Sequence, residues 1–152
     1  MARGACLLER VALKLFEAEV DRYPFLVVLG PSRSRKTEYA KSLFEAPLEL
    51  KVGHLEHFLD RMRQFSRKQH DGIVLDDIRD FAFLVRNQDK LQGKSDGVVE
   101  FASTPGGQLA FTKWLHRAPV VVTANFTTKN RGLLNDDDFL GNAENRVLVQ
   151  RN

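Results

Sequence analysis

Three short apolar runs punctuate the chain at wide intervals, at residues 25–29, 72–75 and 120–123. Each is too short for a helix, carries β-branched residues and is flanked by glycine or proline, so each predicts a buried strand. Elsewhere apolar positions recur at helical spacing. Leu8, Val11, Leu15 and Val20 predict an amphipathic helix over residues 6–20, ended by Tyr23-Pro24 because proline disfavours helix in the residue before it. The same period predicts helices over 36–44, 54–69 (Leu55, Phe58, Leu59, Met62 and Phe65 forming one stripe) and 78–90. Further short strands are expected at 48–52, 98–101 and 146–149, with a tight turn at Pro105-Gly106-Gly107. Residues 108–116 fit neither period, and 130–143 is polar and acidic.

Short apolar strands alternating with helical segments imply a mainly parallel sheet flanked by helices, a three-layer α/β fold. In such sheets ligands sit at the carboxyl ends of the strands. There the character of this sequence changes: Gly30 follows the first run, Asp76-Asp77 the second and Asn125 the third.

Composition narrows the picture modestly. The 152 residues suffice for one ordinary domain, and 43% hydrophobic with 28% charged residues is a globular balance. One cysteine, Cys6, excludes an intrachain disulfide framework and any multi-cysteine zinc site. A net charge of +3 permits contact with nucleic acid without demanding it. No apolar run approaches the roughly 18 residues of a spanning helix, and charge interrupts the N-terminal apolar residues. The expectation is a protein of the cytosol or nucleus, neither secreted nor membrane-bound.

The chemistry concentrates in three places. Gly30-Pro31-Ser32-Arg33-Ser34-Arg35-Lys36-Thr37 fits the phosphate loop G-x-x-x-x-G-K-[ST] at every fixed position but one, where Arg35 replaces the second glycine. A strand before it and a helix after it are the right context. Backbone N–H groups then converge on phosphate oxygens, Lys36 reaches the β and γ phosphates, and the Thr37 hydroxyl meets magnesium. Arg35 places a Cβ and a long cation where glycine allows unusual dihedrals. A basic, serine-rich turn with no ligand is the plain alternative. Asp76 and Asp77 have the form of a Walker B pair, one to hold magnesium and one to orient or deprotonate a water. A helix N-cap is the competing reading. Asn125, at the third strand tip, suits sensing of a γ-phosphate or placement of the water, and a plain loop asparagine is the competing reading.

Taken in order, phosphate loop, Asp-Asp and a strand ending in Thr123-Ala124-Asn125, the chain resembles superfamily 3 helicases, most closely the helicase domain of Rep proteins from small circular single-stranded DNA viruses. The likeness covers about residues 22–150. It implies an AAA+-like P-loop domain over 22–152, preceded by an N-terminal helix over 1–21 that is a possible assembly element. It also implies an ATP- and Mg2+-dependent hydrolase that acts on single-stranded nucleic acid, DNA rather than RNA, in viral-type replication, as a homo-oligomer of which a ring is one form. Lys36 and Thr37 match the Walker A pair, Asp76 and Asp77 the Walker B pair, and Asn125 the sensor. Arg146 falls where the family places an arginine finger acting on a neighbouring subunit, and a surface arginine at a strand start is the other reading. Residues 98–114 fall where the family has its DNA-contacting hairpin. There Lys113, Trp114 and Arg117, with His116, offer charge and a stacking face; a core tryptophan beside a solvated lysine is the alternative.

Only 24 residues precede the first strand, and no histidine-rich metal pair occurs among them, so an isolated helicase core is expected rather than a whole initiator. Two other functions stay open. A non-catalytic P-loop module binding nucleic acid or protein is favoured by Arg35. A small-molecule kinase would need a lid, for which Arg131-Gly132 is a candidate start, and the Thr-x-Asn strand tip argues against it.

Overall fold

The structure is a computed structural model, and it describes residues 15–16, 23–51, 61–79, 81–92, 99–102, 110–113, 115–125, 132–133 and 146–150. Its framework is a five-stranded sheet built from β1 (Phe25–Leu29), β2 (Pro47–Lys51), β3 (Gly72–Asp76), β6 (Val120–Ala124) and β7 (Arg146–Gln150). The order is β2-β3-β6-β1-β7, and every neighbouring pair is parallel. Parallel neighbours need crossover connections, which is why helical segments separate the strands. Helix α1 spans Lys36–Ser42 and helix α2 spans Ala82–Leu91. The strands β4 (Val99–Ala102) and β5 (Ala110–Lys113) form a separate antiparallel pair in which Phe101 faces Phe111 in register. The expected hairpin therefore exists as a strand pair; its turn at 105–107 lies outside the described residues.

The central strands are apolar along nearly their whole length because both sheet faces are covered, with Asp76 of β3 and Thr123 of β6 as the polar exceptions near their carboxyl ends. Phe25, Val27, Leu29, Ile73, Leu75, Val120 and Val122 share one core with Phe81, Leu84 and Leu91 of the α2 region. Leu26, Val28, Val74 and Val121 share the other with Tyr39 and Ala40 of α1, against which Leu15 and Phe16 also pack. This alternation is the period-2 signature of a sheet sandwiched between two helical layers. Every β1 side chain is at most 1% exposed, and each such burial stabilises by roughly 1.5–3 kcal/mol.

Where β2 and β3 begin, two details fix their pairing. The Asp71 carboxylate accepts hydrogen bonds from the Glu45 and Ala46 amides at 2.7 and 3.0 Å, and the Asp71 amide donates to the Ala46 carbonyl. Gly72 lies so close under the Phe44 ring that a Cβ there would meet it at 2.4 Å. Glycine lets the ring close over the strand.

Several expected boundaries move. The helix predicted over 54–69 has ended by Arg63: Arg61 and Met62 are helical, and the Gln64 and Phe65 amides then close tight turns on Arg61 and Met62. Met62 and Phe65 are still both buried, so the apolar stripe continues through a turn that stacks Phe65 on His70. The helix predicted from residue 78 begins at Ala82, because the Ile78 amide bonds to the Thr123 carbonyl at 2.9 Å and its side chain is drawn into the core. The helix predicted over 36–44 stops at Ser42. The helix predicted over 6–20 lies outside the described residues except for Leu15 and Phe16, which are helical. Among the described residues, no helix is long and apolar enough to cross a membrane.

Candidate functional site

The sheet order places β3, β6 and β1 side by side and pointing the same way, so Asp77, Asn125 and Gly30 leave along one edge. A pocket of about 520 Å³ opens there. It is lined by residues 32–38 of the loop and α1 start, by Asp76 and Asp77, and by Thr123 and Asn125.

The loop between β1 and α1 is held at both ends. The Gly30 amide donates to the Ala124 carbonyl of β6, and the Tyr39 amide donates to the Arg35 carbonyl to open α1. Between them the backbone turns twice through the left-handed region, at Arg33 (φ 65°) and Arg35 (φ 59°). Glycine adopts this conformation freely, and another L-residue does so at roughly 1–2 kcal/mol. Arg35 therefore supplies by strain the dihedral that the missing glycine would supply by permissiveness. Its side chain is exposed on the pocket rim rather than buried in the cradle.

The side chains behind the loop are joined by a chain of hydrogen bonds. The Lys36 ammonium donates to the Pro31 carbonyl at 2.7 Å and to Asn125 Oδ1 at 2.9 Å, which leaves one N–H for another acceptor. The Thr37 hydroxyl donates to Asp76 Oδ1 at 2.5 Å. The Thr123 hydroxyl donates to the same oxygen at 2.8 Å and accepts the Asp77 amide at 2.9 Å. Asp76 is only 8% exposed, and these two donors compensate its burial. Asp77 stands in the left-handed region (φ 56°), with its side chain exposed beside the pocket. It caps no helix, since α2 starts five residues later behind Phe81.

The residues present suit a phosphate ligand and a magnesium ion. The Ser34 hydroxyl is buried in the loop with no hydrogen-bond partner among the described residues, an orphan that a phosphate oxygen would satisfy. Among the described residues no group of three or more His, Cys, Asp or Glu is assembled. The Thr37 hydroxyl and the Asp76 carboxylate, side by side at the pocket, are oxygens of the kind magnesium takes, one or two from protein together with substrate phosphates and water.

Of the residues singled out from the sequence, Ser32, Arg33, Ser34, Arg35, Lys36, Thr37, Asp76, Asp77 and Asn125 line one pocket, and Gly30 is buried behind it. Arg146 does not join them. It opens β7 opposite Phe25, at the amino end of the sheet, about 13 Å from the pocket edge at 3.3 Å per residue. Lys113 closes β5, and its ammonium donates to the Phe65 carbonyl at 2.7 Å. Arg117 stands in the turn before β6, also at the amino end. Trp114 lies outside the described residues. Thr123 belongs to the site, and the sequence marks it only as part of the Thr-x-Asn signature. Its signal was a hydroxyl at the end of an otherwise aliphatic strand, 1% exposed.

No protein-family model matches the chain, and no curated protein matches it. Among solved structures it is similar to the helicase of JC virus, a polyomavirus, crystallised with a substituted phenyl acetamide bound. The TM-score is 0.61 at 18% identity, over 95% of this chain and 40% of that one, so this chain spans about two-fifths of that helicase. At this identity the likeness is one of fold: the chain has the three-layer α/β architecture of a P-loop NTPase, and a viral helicase shares it.

Proposed function

We propose that this chain is a nucleotide-binding, nucleotide-hydrolysing helicase-like core of the Rep type that acts on single-stranded nucleic acid, DNA in preference to RNA. The observation that carries the reading is the linkage of Lys36, Thr37, Asp76 and Asn125, from three separate elements, around one pocket at the carboxyl edge of the sheet. A chance turn rich in serine and arginine would not bring a buried carboxylate onto the threonine next to the lysine.

In this reading the loop binds the phosphates of ATP and Lys36 stabilises charge on the transferred one. Thr37 and Asp76 would hold magnesium, which when bound neutralises phosphate charge. Asp77, exposed and positioned by the hydrogen bond that its backbone N–H donates to the Thr123 hydroxyl, takes the proton of the attacking water. Asn125, released from Lys36, orients that water. Arg146 is too far along β7 to serve its own pocket, so any part it plays is on the pocket of a neighbouring copy, which requires assembly of several chains. The β4–β5 pair is the element that contacts nucleic acid. Lys113 fixes its base through the Phe65 carbonyl, while Trp114 and Arg117 extend the contact surface.

A non-hydrolysing module would be favoured if the Arg35 side chain filled the cradle. It is exposed instead, which supports the hydrolytic reading.

The test is ATP turnover by the purified chain and by Lys36→Ala, each with and without single-stranded DNA, alongside mass measurement with and without nucleotide. Turnover is expected to fall about 100-fold or more in the variant, and nucleotide is expected to raise the oligomeric mass. Equal turnover in both proteins would remove the mechanism.

A further inference from the structure

Arg33-Ser34-Arg35 is an unusual stretch of the pocket wall. Two of its three residues hold the left-handed conformation without being glycine. Neither guanidinium makes a hydrogen bond or ion pair within the described residues, although both residues line the pocket and are exposed. The residue between them buries a hydroxyl with no partner among the described residues. Strain repeated at two positions two residues apart, beside two guanidiniums and a hydroxyl that have no partner among the described residues, points to a site organised around something it binds.

The charge arrangement says what that is. Arg33, Arg35 and Lys36 line the pocket as cations, and Glu38, Asp76 and Asp77 line it as carboxylates. A polyphosphate entering there meets Asp76 and Asp77 as like charges. With glycine at the two strained positions, Lys36 would be the one cation facing it, and a divalent metal would be needed to offset the carboxylates. Here two further cations stand on the loop itself. Guanidinium pairs well with phosphate oxygens, through paired N–H donors that need no metal.

We infer that Arg33 and Arg35, with the Ser34 hydroxyl, form a clamp that holds the terminal phosphates of a nucleoside triphosphate without a divalent ion. Binding is thereby separated from hydrolysis: the nucleotide loads metal-free, and magnesium is required at the later step. This inference rests on the pocket being a nucleotide site. It goes further by making affinity depend on two arginines rather than on the metal.

The experiment measures binding of ATP and of inorganic triphosphate by calorimetry, in excess EDTA and in magnesium, for the unmodified chain and for Arg33→Gly, Arg35→Gly and Ser34→Ala. Thermal melts of each protein run alongside. Metal-free binding of both ligands is expected, weakened about tenfold by either arginine change and less by Ser34→Ala. Both glycine variants are expected to melt about 2–4 °C higher, because the strain is relieved. Loss of affinity with a gain in stability is a signature that a structural role for these arginines would not produce. If ATP binds only with magnesium, or if metal-free affinity is unchanged in both glycine variants, the clamp is wrong and the nucleotide site stands. Glycine variants that melt lower assign the arginines to the fold and overturn the clamp as well. Absence of ATP binding under every condition overturns both.

Discussion

The two ends of the sheet use the same residue types to opposite effect. At the amino end, cations are spent on the protein itself. Lys113 donates to the Phe65 carbonyl and Arg67 donates to the His116 carbonyl. These bonds tie the end of β5 and the turn before β6 to the segment that enters β3. At the carboxyl end, Arg33 and Arg35 stand exposed at the pocket in a strained loop, and the Ser34 hydroxyl is left without a partner among the described residues. A charged side chain bonded to backbone carbonyls fixes architecture. The same side chain standing exposed on a costly backbone is available to something else. Lys36 falls between the two cases, bonded to Pro31 and Asn125 and still carrying a free N–H.

Substitutions can sharpen or break this contrast. The largest effect is expected at Asp76, where both kinds of role meet. Asp76→Ala removes the common acceptor of two hydroxyls and is expected to lower the stability measured in urea melts by about 2–3 kcal/mol, and to stop magnesium-dependent turnover. A melt that does not move would mean that the Thr37 and Thr123 hydroxyls are satisfied without it. At the amino end, Lys113→Met keeps the side-chain stem and removes the charge. A loss of about 1 kcal/mol is expected, with ATP affinity unchanged; a change in affinity would show that the ends are not independent. The smallest effect is expected in the opposite direction. Arg33→Gly should gain roughly 0.5–1 kcal/mol, and a loss would mean that the carboxyl edge is built for stability like the amino edge.

The framework of this contrast was legible in the sequence, and its details were not. The run at 25–29 is a strand over those residues, and the strands from 72 and 120 extend one residue past their predicted ends, because an apolar segment buried on both faces has little other use. The phosphate-loop spacing located most of the pocket. Helix boundaries were less legible. Ile78 has a helical neighbour pattern, yet its amide is claimed by Thr123 across the sheet, a partner that no local window contains. Residues 63–69 keep the apolar stripe of a helix while turning, because burial of Phe65 is satisfied by either route. At the site, the pattern match includes both arginines in the loop but marks only Arg35 as a departure, since the motif leaves the Arg33 position free. Only the backbone dihedrals reveal that both make the same demand.

Thr123 has a consequence for how this chain can vary. Its hydroxyl receives from one aspartate's backbone and gives to the other's side chain, so it carries two bonds in opposite directions through a single oxygen. Valine would preserve the shape and sever both, and alanine would add a void. Of the small side chains only threonine and serine keep both bonds here, near the carboxyl end of a strand whose other members are aliphatic.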